Sequence, residues 1–242
     1  MPFRIPVVLA LHSVSSHESQ SSISKDAFQR MLAELSGRVR FISLEEYTEK
    51  VGSLGASLVA ITFDDGYKDI ETVRVIAHEN GDIPIAIFIC MGLINQGSFG
   101  GKEILSEEEL IELSKAQNFT IGCHSYDHKS AFQCSEGEYT GSVEENTGKL
   151  RKLGVTPSFH AYPKGHVKHA DIVMSTFGFR ALLTTQSPRF RDFFNPELIP
   201  RITINSETDF RDLRFLNCLG FLLYRTFEIK LKKLLGRDLR GI

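Results

Sequence analysis

The sequence predicts an α/β chain made of parallel βα units, folded either as one barrel or as a doubly wound sheet. Three observations carry this expectation. Apolar runs of strand length recur along the 242 residues, helical patterns stand between several of them, and no linker, internal repeat or low-complexity segment interrupts the series. The length suits one α/β barrel or two small domains. Hydrophobic residues make up 42% and charged residues 24%, an ordinary globular balance able to build a sizeable core.

The first strand is expected at Val7–Leu11. The apolar stretch Ile5–Leu11 follows Arg4 as a secretory leader would, but it is short, Pro6 interrupts it, His12 ends it, and no small-residue cleavage pattern follows. A buried strand is therefore expected, and the serine-rich Ser13–Ser24 reads as a loop. Ser24–Leu35 reads as a helix capped by Ser24, and Ser43–Val51 as a short second helix. A strand at Leu58–Phe63 precedes a helix over Tyr67–Asn80, which closes on Asn80-Gly81, a C-cap signal. Strands at Ile83–Ile89 and Thr120–Cys123 flank a helix over Ser106–Ala116, whose opening Ser-Glu-Glu-Glu is a capping-box pattern. Helices at Gly137–Leu153 and Val167–Phe177 alternate with strands at Phe159–Tyr162, Ala181–Thr184 and Ile199–Ile204.

Net charge is −2, so no global basic field recruits nucleic acid. No run of 18 or more apolar residues exists, so no membrane-spanning helix is expected. The cysteines Cys90, Cys123, Cys134 and Cys218 form no CxxC pair and suggest neither a disulfide framework nor a thiolate zinc site. Reduced, buried thiols in a cytoplasmic protein are the simpler account.

Chemistry concentrates in Ile61–Tyr67, ITFDDGY. A strand that stops at Asp64 and Asp65 presents two acids at its C-terminal edge, where barrel and open α/β folds keep their reactive groups. Adjacent residues on an extended chain point apart, so one acid can bind a metal while the other acts as a base. The alternative is an ordinary Asp-Gly turn with both acids solvated. A second segment, Thr120–His128 (TIGCHSYDH), ends another strand with His124 and His128 four residues apart. Those histidines, with Asp65, would make a two-His, one-carboxylate site with open positions, although an HxxxH pair alone is a weak signal.

Taken together, Thr-Phe-Asp-Asp-Gly at 62–66, His-Ser-x-x-His at 124–128 and Ala-Tyr-Pro-Lys-Gly at 161–165 resemble the first three motifs of the polysaccharide deacetylase family, the NodB-homology domain of carbohydrate esterase family 4. Val7–Val14, Gly178–Thr185 and Ile199–Ile204 resemble a bacterial branch of it, and the likeness covers roughly residues 5–210. The resemblance implies a distorted (β/α) barrel with fewer than eight regular strands. It implies a divalent metal, zinc or in some members cobalt or nickel, held by Asp65, His124 and His128. It also implies Asp64 as general base and removal of an acetyl group from an N-acetylated sugar. Amide hydrolysis fits this set: a cation lowers the pKa of water, Asp64 takes its proton, and a backbone N–H near Tyr162 and Pro163 helps hold the oxyanion.

The chain departs from the family pattern in several places. Many members carry an acid histidine late in the chain, but no histidine follows Ile199. His12, at the end of the first strand, is the substitute, because first and last strands of a closed barrel are neighbours. Ala161 stands where many relatives have the arginine that orients the base, and Arg201 is the candidate replacement. No tryptophan is present to line an acetyl pocket, and Lys164 replaces a frequent aromatic residue. Tyr126 and Tyr162 are candidates to stack on a sugar face, or else are core.

The expected domains are a barrel over 1–211 and an amphipathic helical tail over 212–242. The tail, with Phe215, Leu216, Leu219, Leu222, Leu223 and Phe227 followed by Lys230, Lys232 and Lys233, reads either as a helix packed on the barrel or as a peripheral contact with anionic lipid. The latter would suit a cytoplasmic enzyme acting on a lipid-linked saccharide at the inner face of a membrane. Two other functional readings stay open: a hydrolase of another non-peptide C–N bond, and a saccharide-binding module without turnover.

Overall fold

The computed structural model describes residues 4–15, 21–186 and 190–208. The expected tail, His17 and Cys218 lie outside them.

Seven parallel strands close into a barrel: β1 (Val7–Leu11), β2 (Leu58–Phe63), β3 (Ile85–Ile89), β4 (Phe119–Cys123), β5 (Phe159–Ala161), β6 (Ala181–Thr184) and β7 (Leu198–Thr203). Their order around the barrel is β1-β7-β6-β5-β4-β3-β2, and β2 returns to β1. Closure is made by two ladders on β1. One pairs Val7 with Val59 through to Leu11 with Phe63, and the other pairs Val8 with Arg201. First and last strands are thus neighbours, and the barrel has fewer than eight strands, as the sequence implied. A two-residue strand at Arg40–Phe41 extends the edge of β2 before β3 begins.

Six helices connect or flank the strands among the described residues: α1 (Lys25–Leu35), α2 (Leu44–Lys50), α3 (Ile70–Glu79), α4 (Glu107–Ser114), α5 (Glu136–Lys152) and α6 (Ala170–Phe177). The starts follow the capping chemistry. Ser24 and Ser43 accept from backbone N–H groups three residues on, and Ser106 with Glu109 and Ser135 with Glu138 close full capping boxes. Among the described residues no helix is long and apolar enough to cross a membrane.

Two expectations need correction. The helix after the Asp-Asp-Gly turn begins at Ile70 rather than Tyr67, because Tyr67 is held in an antiparallel bridge to Ile104. The serine-rich stretch is not wholly loop, since Ser13–Val14 pairs in parallel with Ser22–Ile23. A small hairpin, Ser98–Phe99 with Lys102–Glu103, was not legible in the sequence.

The alternation of side chains along each strand divides the core. Val8, Ala60, Ala86, Phe88, Phe159, Ala161, Ala181, Leu183 and Ile199 fill the barrel interior. Val7, Leu9, Val59, Ile61, Phe63, Ile85, Ile87 and Ile89 face outward into the cluster shared with α1 and α3. Period-two alternation then places the residues that follow the strands. Leu58, Ala60 and Thr62 lead to Asp64; Val8 and Ala10 lead to His12; Gly122 leads to His124. All three therefore project towards the axis at the C-terminal mouth. Gly122 is required there, because a Cβ would lie 2.4 Å from the Phe88 ring.

Candidate active site

Asp64 continues the ladder of β2, its N–H donating to the Leu11 carbonyl at 3.0 Å. Asp65 leaves that extended path with φ 75°, followed by Gly66 at φ 85°, so the chain turns and the two carboxylates take different surroundings. Both are buried, each 3% exposed.

Asp64 faces Arg201 of β7. The guanidinium grips both carboxylate oxygens, Nη1 to Oδ1 at 2.7 Å and Nη2 to Oδ2 at 2.8 Å, while Nη1 also donates to Thr62 Oγ1 at 3.1 Å. Below it the Phe88 ring lies 5.5 Å from the guanidinium carbon. Burial alone would raise the Asp64 pKa, but Arg201, with His124 and His12 nearby, holds it below the ordinary carboxylate value. Arg201 is a buried, forked partner of Asp64, so its place is behind the acid and not on a substrate surface.

Asp65 faces the two histidines. His124 Nε2 lies 3.4 Å and His128 Nε2 3.2 Å from its Oδ1. That oxygen is buried and has no hydrogen-bond partner among the described residues. The His124 Nδ1 lies 2.7 Å from the Ala161 carbonyl, which can only accept, so Nδ1 carries the proton and Nε2 presents a bare lone pair. Ligands held at about 2.0–2.1 Å in a tetrahedron stand about 3.3 Å apart. The two nitrogen–oxygen separations and the orphaned oxygen therefore suit a divalent cation. Burial opposes charge on both groups, yet mutual attraction prevails: the histidines draw Asp65 well below the usual carboxylate range, and the two aspartates raise His124.

Cys90 is a neighbour that sequence reasoning did not place here. Among the described residues, the three potential ligands whose donor atoms all lie within 4.8 Å of one another are Asp65, Cys90 and His124. The thiol, however, donates to the His124 carbonyl at 3.0 Å, and burial pushes its pKa well up. A protonated, fully buried thiol is a poor competitor for a cation beside a ready imidazole. His128 joins the cluster through Asp65 and is walled by Phe99 of the small hairpin, ring centroids 5.3 Å apart.

His12 sits at the same mouth. Burial lowers its pKa, and the fields of Asp64, Asp65, Arg201 and His124 all reach it. Cys90, Cys123 and Cys134 are free and buried. His160 is also core: it is fully buried, takes a 3.0 Å hydrogen bond with the Tyr139 hydroxyl, and burial brings its pKa down to about 3.

The tyrosines require correction. Tyr162 is fully buried, stacked on Tyr139 at 5.6 Å, and its backbone N–H donates to the Leu183 carbonyl at 3.0 Å. Neither its ring nor its N–H is free for substrate, because β5 runs on into the ladder with β6. Pro163 has no N–H. Tyr126 is packed under Lys149, whose Nζ donates to its hydroxyl at 2.8 Å. The next backbone N–H at this turn belongs to Lys164, at φ 60°.

No curated protein sequence matches the chain. Solved structures similar to it include IcaB from Ammonifex degensii, 23% identical with a TM-score of 0.76 over 87% of this chain and 96% of that one. The Streptococcus pyogenes deacetylase PplD, in complex with acetate, is 19% identical with a TM-score of 0.71 over 90% of this chain and 99% of that one. A de-N-acetylase from Aggregatibacter actinomycetemcomitans is 14% identical with a TM-score of 0.70 over 86% and 98%. At these identities the likeness establishes the barrel. The family model described as polysaccharide deacetylase matches residues 52–181, more than half of the chain, and takes in Asp64, Asp65, His124 and His128. The chain belongs to the polysaccharide deacetylase family, hydrolases that act on carbon–nitrogen bonds other than peptide bonds.

Proposed function

We propose that the chain removes the acetyl group from an N-acetylated sugar in a saccharide or glycoconjugate, with Asp64 as base and His12 as acid. One observation carries the reading: the adjacent acids have opposite partners, Asp64 a fixed guanidinium and Asp65 two imidazoles around an unbonded oxygen. Asp65, His124 and His128 would hold a divalent ion, zinc in the first instance and cobalt or nickel as substitutes. Bound there, such an ion would polarise the acetyl carbonyl and lower the pKa of water.

The chain's own residues do the rest. Arg201 keeps Asp64 ionised and fixes its plane, so the carboxylate is ready to take a proton from the attacking water. The Lys164 N–H is the donor for the carbonyl oxygen as negative charge grows there. His12, with its pKa lowered by burial, releases a proton readily to the departing nitrogen once charged. The fold relatives support the reading by their names, a deacetylase holding acetate and a de-N-acetylase. The reading without turnover, which Ala161 kept open, loses its basis, since a guanidinium reaches the base from β7 instead. A narrower form, a lipid-linked saccharide met at a membrane through the tail, rests on residues outside the described ones.

The test is acetate release from N-acetylglucosamine oligomers by the zinc-loaded chain. Chelation is expected to stop it, and Asp64→Asn to lower kcat by about a thousandfold or more with metal content retained. Full metal loading with no acetate from any saccharide would sink the reading in favour of another C–N substrate.

A further inference from the structure

His124 and His128 must meet Asp65 together, and the turn between them is braced from a helix that carries no part of the site. Ser125 and His128 are left-handed, φ 59° and φ 57°, a backbone that persists where its surroundings over-determine it. The Ser125 hydroxyl does not supply that support: it is buried and has no partner among the described residues.

The support comes from α5. Tyr139 and Val143 pack this helix into the cluster that contains Cys123, at the end of β4. Ser142, Asn146 and Lys149 stand four and three residues apart, hence along one face of it, and each reaches the chain around the histidines. Asn146 Nδ2 donates at 2.9 Å to the Ile89 carbonyl, which also accepts from the His124 N–H at 3.0 Å. Lys149 Nζ holds the Tyr126 hydroxyl. Ser142 Oγ accepts from the Tyr126 N–H at 3.0 Å and donates to Asp127 Oδ1 at 3.1 Å. The Tyr126 carbonyl is taken in turn by the Gly92 N–H at 2.8 Å, so the middle of the turn is pinned from two sides.

The two histidines depend on this support unequally. His124 is fixed by β4, through the Ile89 carbonyl at its N–H and the Ala161 carbonyl at its Nδ1. His128 follows the pinned Tyr126 by two residues and takes its direction from it. We propose that Ser142 is a positioning residue for the cation site: its hydroxyl, donor and acceptor at once, holds the 124–128 turn so that His128 meets Asp65 beside His124. This rests on the cation site of the reading above and adds to it a residue that touches neither cation nor substrate.

Ser142 lies in the interior of α5, where alanine is the better helix former. Ser142→Ala therefore gains propensity as it loses two hydrogen bonds, and its melting temperature should stay within a few degrees of the parent. Zinc affinity, measured by competition with a chelator, should nevertheless fall about tenfold, and Ser142→Thr, which keeps a hydroxyl, should recover most of it. The visible absorption of the cobalt-loaded chain, a readout independent of turnover, should change in Ser142→Ala and return in Ser142→Thr. Parental affinity and cobalt spectrum in Ser142→Ala, with His128→Ala still weakening zinc, would overturn the role of Ser142 and leave the cation site standing. A loss in Ser142→Thr equal to that in Ser142→Ala would overturn it too, since the hydroxyl would then not be the cause. A parent chain that takes up neither zinc nor cobalt would overturn the cation site and this role together.

Discussion

Asp64 and Asp65 are neighbours in sequence, yet they look onto two halves of the barrel mouth that are built differently. On the Asp64 side the parts are strand residues or their direct continuations: Thr62 and Asp64 from β2, Arg201 from β7, His12 from the end of β1. On the Asp65 side His124 still continues β4, but the other parts hang on turns with left-handed backbone, at Asp65 (φ 75°), Ser125 (φ 59°) and His128 (φ 57°). A strand residue cannot swing away without breaking a ladder, so the first half holds a base and its counter-charge in fixed register. Left-handed residues other than glycine cost about 1 kcal/mol or more each and persist where the surroundings over-determine them. The second half spends that strain to turn Asp65 and His128 towards His124, so that two imidazoles meet around one bare oxygen. The difference teaches that the base is positioned by the barrel itself, and the cation site by what the barrel's loops enclose.

The largest expected effect breaks the strand-built half. Arg201→Ala leaves a carboxylate buried without its partner, which costs about 3–5 kcal/mol of stability for a pair this buried. Urea unfolding measures the loss. Arg201→Lys keeps a charge but not the fork, so it should recover much of the stability while kcat stays about tenfold or more below the parent. If Arg201→Lys restored both equally, the fork would have no part in orienting Asp64.

The next effect breaks the loop-built half alone. His128→Ala should weaken zinc binding about a hundredfold or more while shifting stability far less than Arg201→Ala, since His128 lies nearer the surface. Competition with a chelator gives the affinity. Cys90→Ser is the control: it should leave zinc affinity within a few-fold, because the thiol is already engaged with the His124 carbonyl. A larger loss from Cys90→Ser than from His128→Ala would move the ligand set to Asp65, Cys90 and His124.

The same division explains what could be read from the sequence. The loop-built half is local: Asp-Asp-Gly and His-x-x-x-His are short motifs, and both fall within the segment that the family model matches. The strand positions followed from apolar runs, because parallel strands buried on both faces read as continuous apolar segments. Arg201 and His12 lie outside that segment, and Arg201 meets Asp64 across 137 positions. Their place was inferred from absences, the arginine missing at 161 and the late histidine missing after Ile199. Only barrel closure through β1 turns those absences into a geometry. The carbonyl of Ala161 that sets the His124 tautomer left no trace, because a backbone atom has no sequence signature. Tyr162 misled for the opposite reason: an aromatic ring in a motif looks exposed until the ladder to β6 buries it.

The smallest effect separates the halves by pH in the metal-free chain. Asp64 has its folded pKa lowered, so its pair with Arg201 contributes stability that is fully present above the unfolded value near 3.8 and is lost only as pH falls through the lower folded value. Between pH 6 and pH 9, conditions chosen for the experiment, that pair should not respond, whereas the buried His12 and His160, whose folded pKa values are lowered by burial, add stability as pH rises through the unfolded value near 6.5. His124 has its folded pKa raised above 6.5 by Asp64 and Asp65, against the effect of burial. Its contribution is present below 6.5 and is lost as pH rises through the folded value, leaving two buried carboxylates with less positive charge among them. The melting temperature of the metal-free chain, read against that of His124→Asn so that the opposite contributions of His12 and His160 cancel, should therefore fall by a few degrees across the rise from pH 6 to pH 9. Arg201→Lys should not flatten that decline. Added zinc should, since a bound cation supplies the charge that His124 gives up and binds neutral imidazole more readily as pH rises. A decline that zinc leaves unchanged would mean that the pH response arises away from Asp65, and that the loop-built half carries no proton-linked charge.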